Sequence, residues 1–201
     1  MPIMTPAATI WRHLPNLISS LRIVLVVPVA WLMLEHRYGS ALWLALVAGS
    51  SDALDGWLAR RFGWRSRLGA FLDPAADKLL LMTSYLVLAL MAQLPWWLAL
   101  LVLGRDLVIL GGALGYRLLI GPFTAKPSRI AKFCTMLQIV YVLLVLLRSS
   151  ALPALHLQPM QWLVAVLTVA SGLDYVLRWA ARARREAHAQ RNRCKGMPHD
   201  A

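Results

Sequence analysis

The sequence predicts an all-α integral membrane protein of six transmembrane helices, and three observations carry that prediction. Of the 201 residues, 59% are hydrophobic and only 15% charged, whereas soluble domains carry about 45–50% apolar and about 25% charged residues. The mean hydropathy is +0.60. Apolar runs of about 20 residues, the length that crosses roughly 30 Å of hydrocarbon, recur between short polar joints.

The spans are delimited by residues that break helices or preset turns. The first is expected over 16–36, opened by Pro15 and closed before Gly39, and the second over 40–61, ending in Arg60 and Arg61. The third, 70–92, stops short of Pro95; the fourth, 95–119, ends ahead of the Gly121–Pro122 pair. Pro127 precedes the fifth, 129–148, while Pro153 and Pro159 introduce the sixth, 159–181. Only Arg12 lies ahead of the first apolar run and no small-residue cleavage site follows it, so the segment is read as a retained span rather than a signal peptide. There is no internal repeat.

The formal net charge of +12 would point to nucleic acid in a soluble protein, but here the basic residues occupy joints and the tail, and nucleic acid is not an expected partner. They gather in the second joint (Arg60, Arg61, Arg65, Arg67), the fourth (Arg117, Lys126, Arg129) and the tail (Arg182, Arg184, Arg185, Arg191, Arg193, Lys195), leaving Arg37 and Arg148 for the others. By the positive-inside rule the N-terminus, these joints and the tail are cytoplasmic, which requires an even number of spans. The expected organisation is a membrane domain over 1–181 and a basic cytoplasmic tail over 182–201 that stops transfer and touches anionic headgroups. A multi-pass protein of a bacterial inner (plasma) membrane is the expected location. Cys134 and Cys194 lie in different segments and form neither a disulfide framework nor a metal-binding pair.

Nine acidic residues occur in the chain, and Asp52, Asp55, Asp73 and Asp77 fall within 26 positions. Asp52 and Asp55 are three apart near the cytoplasmic end of the second span, and Asp73 and Asp77 are four apart in the third, so each pair shares a helix face. The joint between them is short enough for antiparallel neighbours. Four carboxylates converging at the membrane boundary repel one another unless something cationic balances them. Arg60 and Arg61 offset part of this charge, but all-oxygen ligation suits Mg²⁺ or Mn²⁺, and two such ions would neutralise four carboxylates. No histidine lies between the acids, which argues against zinc. Gly56, one turn beyond Asp52, leaves room for a ligand near the backbone, although small residues here also serve helix packing.

The pattern Asp52-x-x-Asp55-Gly56-x-x-Ala59-Arg60, eight residues, then Gly69-x-x-x-Asp73-x-x-x-Asp77 resembles the signature of the CDP-alcohol phosphotransferase family at every position. Eight fixed identities arise by chance on the order of 10⁻¹⁰ per starting point. Pro15-Asn16-Leu17-Ile18 followed by Arg22 is similar to the opening of members that make phosphatidylglycerophosphate. The resemblance implies a six-span fold with its active site at the cytoplasmic interface, transferring a phosphatidyl group from CDP-diacylglycerol to an alcohol with release of CMP. It also implies that Asp52, Asp55, Asp73 and Asp77 bind two divalent metal ions and that Asp77 takes the acceptor's proton. Gly56 and Arg60 match positions that contact the nucleotide and diphosphate, Ser66 falls where similar enzymes place a donor hydroxyl, and Pro15, Asn16, Leu17 and Ile18 match a segment near the cytidine.

For the acceptor, Arg105 with Asp106 in the fourth span and Arg129 with Lys132 at the start of the fifth are cations that suit an anionic group. Pro127-Ser128-Arg129-Ile130-Ala131-Lys132 is similar to the Pro-Ser-Lys-x-x-Lys stretch of glycerol-phosphate-using relatives, departing from it at Arg129, Phe133 and Cys134. Arg105-Asp106 instead resembles the Arg-Asp of cardiolipin synthases of this fold, where phosphatidylglycerol is the acceptor, and an internal pair with a nearby acid competes with either role. Glycerol 3-phosphate is the first expectation and phosphatidylglycerol the second; membrane lipids and a second copy of the chain in a homodimer complete the expected partners. Asp174 and Arg178, four apart, are expected to form a structural ion pair. A transporter or channel also places carboxylates and arginines inside a membrane, but leaves the ordered spacing and Gly56 unexplained; a non-catalytic scaffold predicts neither flux nor CMP.

Overall fold

The computed structural model describes the backbone of residues 14–62, 69–119 and 129–195 and, within these, the side chains of residue 21 and residues 23–50, 78–112 and 130–179. It contains α1 (Leu14–Leu34), α2 (Tyr38–Phe62), α3 (Gly69–Leu90), α4 (Trp96–Leu119), α5 (Arg129–Ser150) and α6 (Gln158–Lys195). Helix ends fall within two residues of the breaker-based expectation except at the end of α6. That helix runs on through the basic segment, because Ala, Arg, Glu and Gln are strong helix formers and no Gly or Pro interrupts them before Gly196. The boundary drawn at residue 181 therefore marks a change of composition within one helix.

Two helices are, among the described residues, long and apolar enough to cross a membrane: Ile130–Ser150 and Gln158–Trp179, with shorter apolar stretches at Ile23–Leu34, Tyr38–Ser50 and Lys78–Leu90. Large apolar side chains cover the outside of the bundle, including Val27, Trp43 and Leu177, each at least 66% exposed. Soluble proteins rarely present contiguous apolar surface on this scale.

The helices close into a ring in which α1 packs on α2 and α3, α2 on α5, α5 on α6, α6 on α4 and α4 on α3, and α3 also meets α5 across the middle. Tyr85 of α3 and Tyr141 of α5 stack at that crossing, ring centroids 6.5 Å apart, among Met33, Leu88, Leu98, Val102, Leu146 and Val164. Lipid tails are as apolar as these side chains, so close packing and interhelical hydrogen bonds hold the helices together. One such bond is buried between α5 and α6, where Gln138 Nε2 donates to Thr168 Oγ1 at 3.0 Å and Thr168 in turn donates to the Val164 carbonyl at 2.7 Å.

The end of the bundle formed by the 34–38, 90–96 and 150–158 joints is tightly closed. Arg37 N–H donates to the Leu32 carbonyl and His36 N–H to that of Met33, while Gln93 and Ala92 repeat the pattern on Leu88 and Ala89. The residues that turn the chain, His36 and Ala92, have φ of 59° and 55°; both helices thus end in Schellman motifs without glycine. Arg148 Nη2 donates to the Gln93 carbonyl at 2.8 Å and Ser149 to Gln93 Oε1 at 2.7 Å, so the end of α5 holds the α3–α4 joint.

Thr168→Val should lower stability in detergent by about 1 kcal/mol, the scale of an interhelical hydrogen bond in a membrane protein, because Gln138 Oε1 already has no partner and its amide would lose one too. Adding Gln138→Leu should recover most of the loss; thermal unfolding of the single and double variants measures both.

Candidate active site

The two carboxylate pairs stand toward the other side of the bundle, near the end of α2 at Phe62 and the start of α3 at Gly69. Asp52 and Asp55 are ten and seven residues from the end of α2 at Phe62; Asp73 and Asp77 are four and eight residues from the start of α3 at Gly69. At 1.5 Å per residue these positions lie about 6–15 Å in from the helix ends, so the pairs occupy overlapping depths. Gly56 and Arg60 follow on α2, Pro15, Asn16, Leu17 and Ile18 form the first turn of α1, and Arg129 opens α5; for all of these the described structure is backbone alone. Ser66 lies outside the described residues.

α2 and α3, consecutive in sequence, both pack on α1 and face each other across a groove whose third wall is α5. The groove has a volume of about 370 Å³ and is lined by Gly49 and Ser50 from α2, Leu80 and Ser84 from α3, and Val142 and Leu143 from α5, among others. Ser50 precedes Asp52 by two residues and Leu80 follows Asp77 by three, so the apolar groove runs up to the level of the carboxylates. A second groove of about 560 Å³ continues along α2 and α5 toward Gly39 and Ser150, sharing Leu46 and Leu143 with the first.

Next to Asp77 stands a buried charge cluster. Lys78 Nζ of α3 reaches Asp106 Oδ1 of α4 at 3.0 Å, the same oxygen also accepts from Arg105 Nη1, and Arg105 Nη2 donates to Ser171 Oγ of α6 at 2.7 Å. Arg105 and Asp106 are 8% and 3% exposed. Arg105 thus makes the internal pair that competed with acceptor binding, and its Nε has no hydrogen-bond partner. Gly172 of α6 lies beside its stem: a Cβ there would sit 3.7 Å from Arg105 Cγ, an ordinary contact. Lys132, by contrast, is exposed in the first turn of α5. Asp174 and Arg178 form the expected pair at 2.7 Å, with Asp174 Oδ2 buried and unpartnered.

Sequence reasoning overlooked Lys78 and Ser171. Lys78 had a signal, being a lone cation in an apolar helix with an acid due opposite; Ser171 had none, since a serine in a span is as often a packing residue.

The donor set of the signature consists of carboxylate oxygens alone, on two helices at overlapping depths, and this suits hard divalent cations. Among the described residues no group of three or more His, Cys, Asp or Glu forms a competing metal site.

The chain is similar to several named proteins. A protein of Aquifex aeolicus named CDP-diacylglycerol–glycerol-3-phosphate 3-phosphatidyltransferase is 32% identical over 169 residues, 83% of this chain and 92% of that protein. A chloroplastic protein of Oryza sativa subsp. japonica with the same name, numbered 1, is 31% identical over 187 residues, 83% of this chain and 57% of its own length. A cardiolipin synthase (CMP-forming) / mitochondrial hydrolase fusion protein of Schizosaccharomyces pombe is 32% identical over 194 residues, covering 88% of this chain. The chain spans 32% of the length of that fusion protein. The CDP-alcohol phosphatidyltransferase family matches residues 12–182, a stretch that contains the whole signature, all six helices' apolar portions and the charge cluster, and the chain belongs to that family.

Proposed function

We propose that the chain is a membrane enzyme of phospholipid synthesis that transfers the phosphatidyl group of CDP-diacylglycerol to glycerol 3-phosphate and releases CMP. The observation that carries this reading is the apolar groove between α2, α3 and α5 that runs up to the depth of the carboxylate pairs. A lipid with a charged diphosphate needs that combination: hydrocarbon contact for its chains beside a strongly polar site. The naming of the Aquifex aeolicus relative, almost all of which the chain covers, supports the choice of acceptor.

In this reading Asp52, Asp55, Asp73 and Asp77 hold two divalent ions, Mg²⁺ or Mn²⁺, which when bound neutralise the diphosphate and stabilise the entering and leaving oxygens. Gly56 gives the nucleotide access to the α2 backbone, and Arg60 adds a bidentate contact to phosphate. Ser66 and the segment Pro15, Asn16, Leu17 and Ile18 complete the CDP contacts. Asp77 accepts the proton of the acceptor hydroxyl, directly or through one water. The acceptor oxygen forms its bond to the phosphatidyl phosphorus, the bond from that phosphorus to the bridging oxygen breaks, and CMP carries that oxygen away. Lys132 and Arg129 meet the acceptor's phosphate, and Arg105 adds its charge from within the network that holds it.

A second reading takes phosphatidylglycerol as acceptor, giving cardiolipin. The Arg105–Asp106 pair and the second groove along α2 and α5, which offers space for further acyl chain, favour it, as does the name of the fission-yeast relative.

We also propose a six-span topology, which the six helices support, with the start of α1 and the end of α6 on the carboxylate side, and a bacterial inner membrane as its location. Single cysteines placed at 93 and 153 should react with an impermeant thiol reagent from outside intact cells, and cysteines at 65 and 125 only after permeabilisation; the reverse pattern would invert the orientation.

Asp52→Asn should cut CMP release by roughly a hundredfold or more, the scale of losing one fixed charge-stabilising contact, while the protein still purifies as a folded species. EDTA should abolish the wild-type reaction and added Mg²⁺ or Mn²⁺ restore it; full activity in either case would exclude a two-metal site.

Lys132→Ala should raise KM for glycerol 3-phosphate about tenfold and leave that for CDP-diacylglycerol unchanged, because only one substrate loses a contact. Purified enzyme that ignores glycerol 3-phosphate but converts phosphatidylglycerol to cardiolipin would replace the first acceptor with the second.

A further inference from the structure

We infer that Asp106 is a positioning residue for the metal-binding carboxylates: by holding Lys78 it keeps that cation off them. The inference rests on the two-metal reading given above, and it assigns a purpose to a cluster that the reading leaves idle.

The geometry has three parts. Lys78 directly follows Asp77 on α3, and its ammonium is drawn to α4 by Asp106 at 3.0 Å. Asp106 is 3% exposed and receives both Lys78 and Arg105 on one oxygen, so a single buried carboxylate faces two cations. Arg105 then anchors the assembly to α6 through Ser171. The side of α3 away from the groove is thereby tied to two helices, while the groove side, with Leu80 and Ser84, meets α2 and α5.

The charge arithmetic explains why this matters. A lysine has a long flexible stem with three donors and moves to whatever anion is nearest. Without Asp106 the nearest anions along the chain would be those of the signature, and an ammonium there competes with divalent ions as counter-charge. A partner residue one shell away from metal ligands typically alters metal affinity by about 10–100-fold. An acid that merely braced the helices would change folding stability and leave metal affinity alone.

The test uses Asp106→Asn, which keeps the side chain's shape and still accepts from Arg105, Lys78→Met, which keeps the stem without its charge, and the double variant. Mn²⁺ binding to the purified full-length protein is measured by calorimetry without lipid substrate, and Mg²⁺ activation of CMP release is measured in parallel. Asp106→Asn should weaken Mn²⁺ binding and raise the half-activating Mg²⁺ concentration by about tenfold. Lys78→Met should lie within about twofold of wild type, and the double variant should return to that range because the cation left without its partner is gone. Unchanged metal affinity in Asp106→Asn, a loss in Lys78→Met as large as in Asp106→Asn, or no rescue in the double variant would overturn the inference. Should Asp106→Asn fail to fold, the remaining two variants decide: weakened Mn²⁺ binding in either one overturns it, and wild-type binding in both supports it. A wild-type protein that binds Mn²⁺ but releases no CMP from CDP-diacylglycerol would sink the proposed reaction, and the calorimetric comparison would still decide the role of Asp106.

Discussion

Hydrocarbon supplies neither hydrogen bonds nor counter-ions, so each charge this chain carries inside the bundle has to be met by another part of the chain or by a ligand. A single Arg, Lys or Asp at the centre of a span costs about 2.5–3.5 kcal/mol on insertion scales. The chain nevertheless puts Lys78, Arg105 and Asp106 at buried or half-buried positions and joins them on one carboxylate oxygen. Removing one member of such a cluster typically costs about 3–5 kcal/mol because the survivors are left uncompensated. This cluster binds α3 to α4 and α6, and α3 is the helix that carries Asp73 and Asp77. The helix that carries half the acidic signature is therefore also tied to a charge network that contains none of the signature residues.

The same constraint explains the difference between the two ends of the bundle. At the end away from the carboxylates, Schellman turns at His36 and Ala92 satisfy the last carbonyls of α1 and α3, and Gln93 is gripped by Arg148 and Ser149. Trp97 and Trp162, near the starts of α4 and α6, pack with ring centroids 5.3 Å apart; amphipathic aromatic rings of this kind are enriched at membrane–water interfaces. Both turn residues adopt left-handed backbone despite carrying a Cβ, at a cost of about 1–2 kcal/mol each; the closed joints around them are what hold that conformation.

Helix number and placement were legible in the sequence because proline and glycine mark most joints and the apolar runs between them are about 20 residues long. α4 was placed to within one residue at both ends by Pro95 and the Gly121–Pro122 pair. The end of α6 was not, since hydropathy registers where apolar residues stop and says nothing of a polar helix that continues. Order of packing was likewise hidden: consecutive α2 and α3 share a groove with α5, a helix far along the chain, and apolar sequences of similar composition do not encode which neighbour they face. The acidic signature stood out by spacing alone, whereas Arg105 carried two readings that only its surroundings could separate. Asp106 beside it and Ser171, 66 residues away, give the internal pairing.

Charge and hydrocarbon are thus kept on different walls. α4 and α6 contribute the polar seam, with Thr168, Ser171 and Asp174 three residues apart along one side of α6, each making a hydrogen bond. α2 and α5 contribute the apolar grooves, whose linings contain no charged side chain among the described residues. α3 belongs to both: Leu80, Leu81 and Ser84 line the groove while Lys78 reaches the seam. A helix with two such faces can present a carboxylate near the groove's end only if its rotation is held, because about 100° separates neighbouring residues on a helix. Close packing against α1 and α5 supplies most of that hold. The Lys78–Asp106 pair on the opposite side adds to that packing, since turning α3 would part the two.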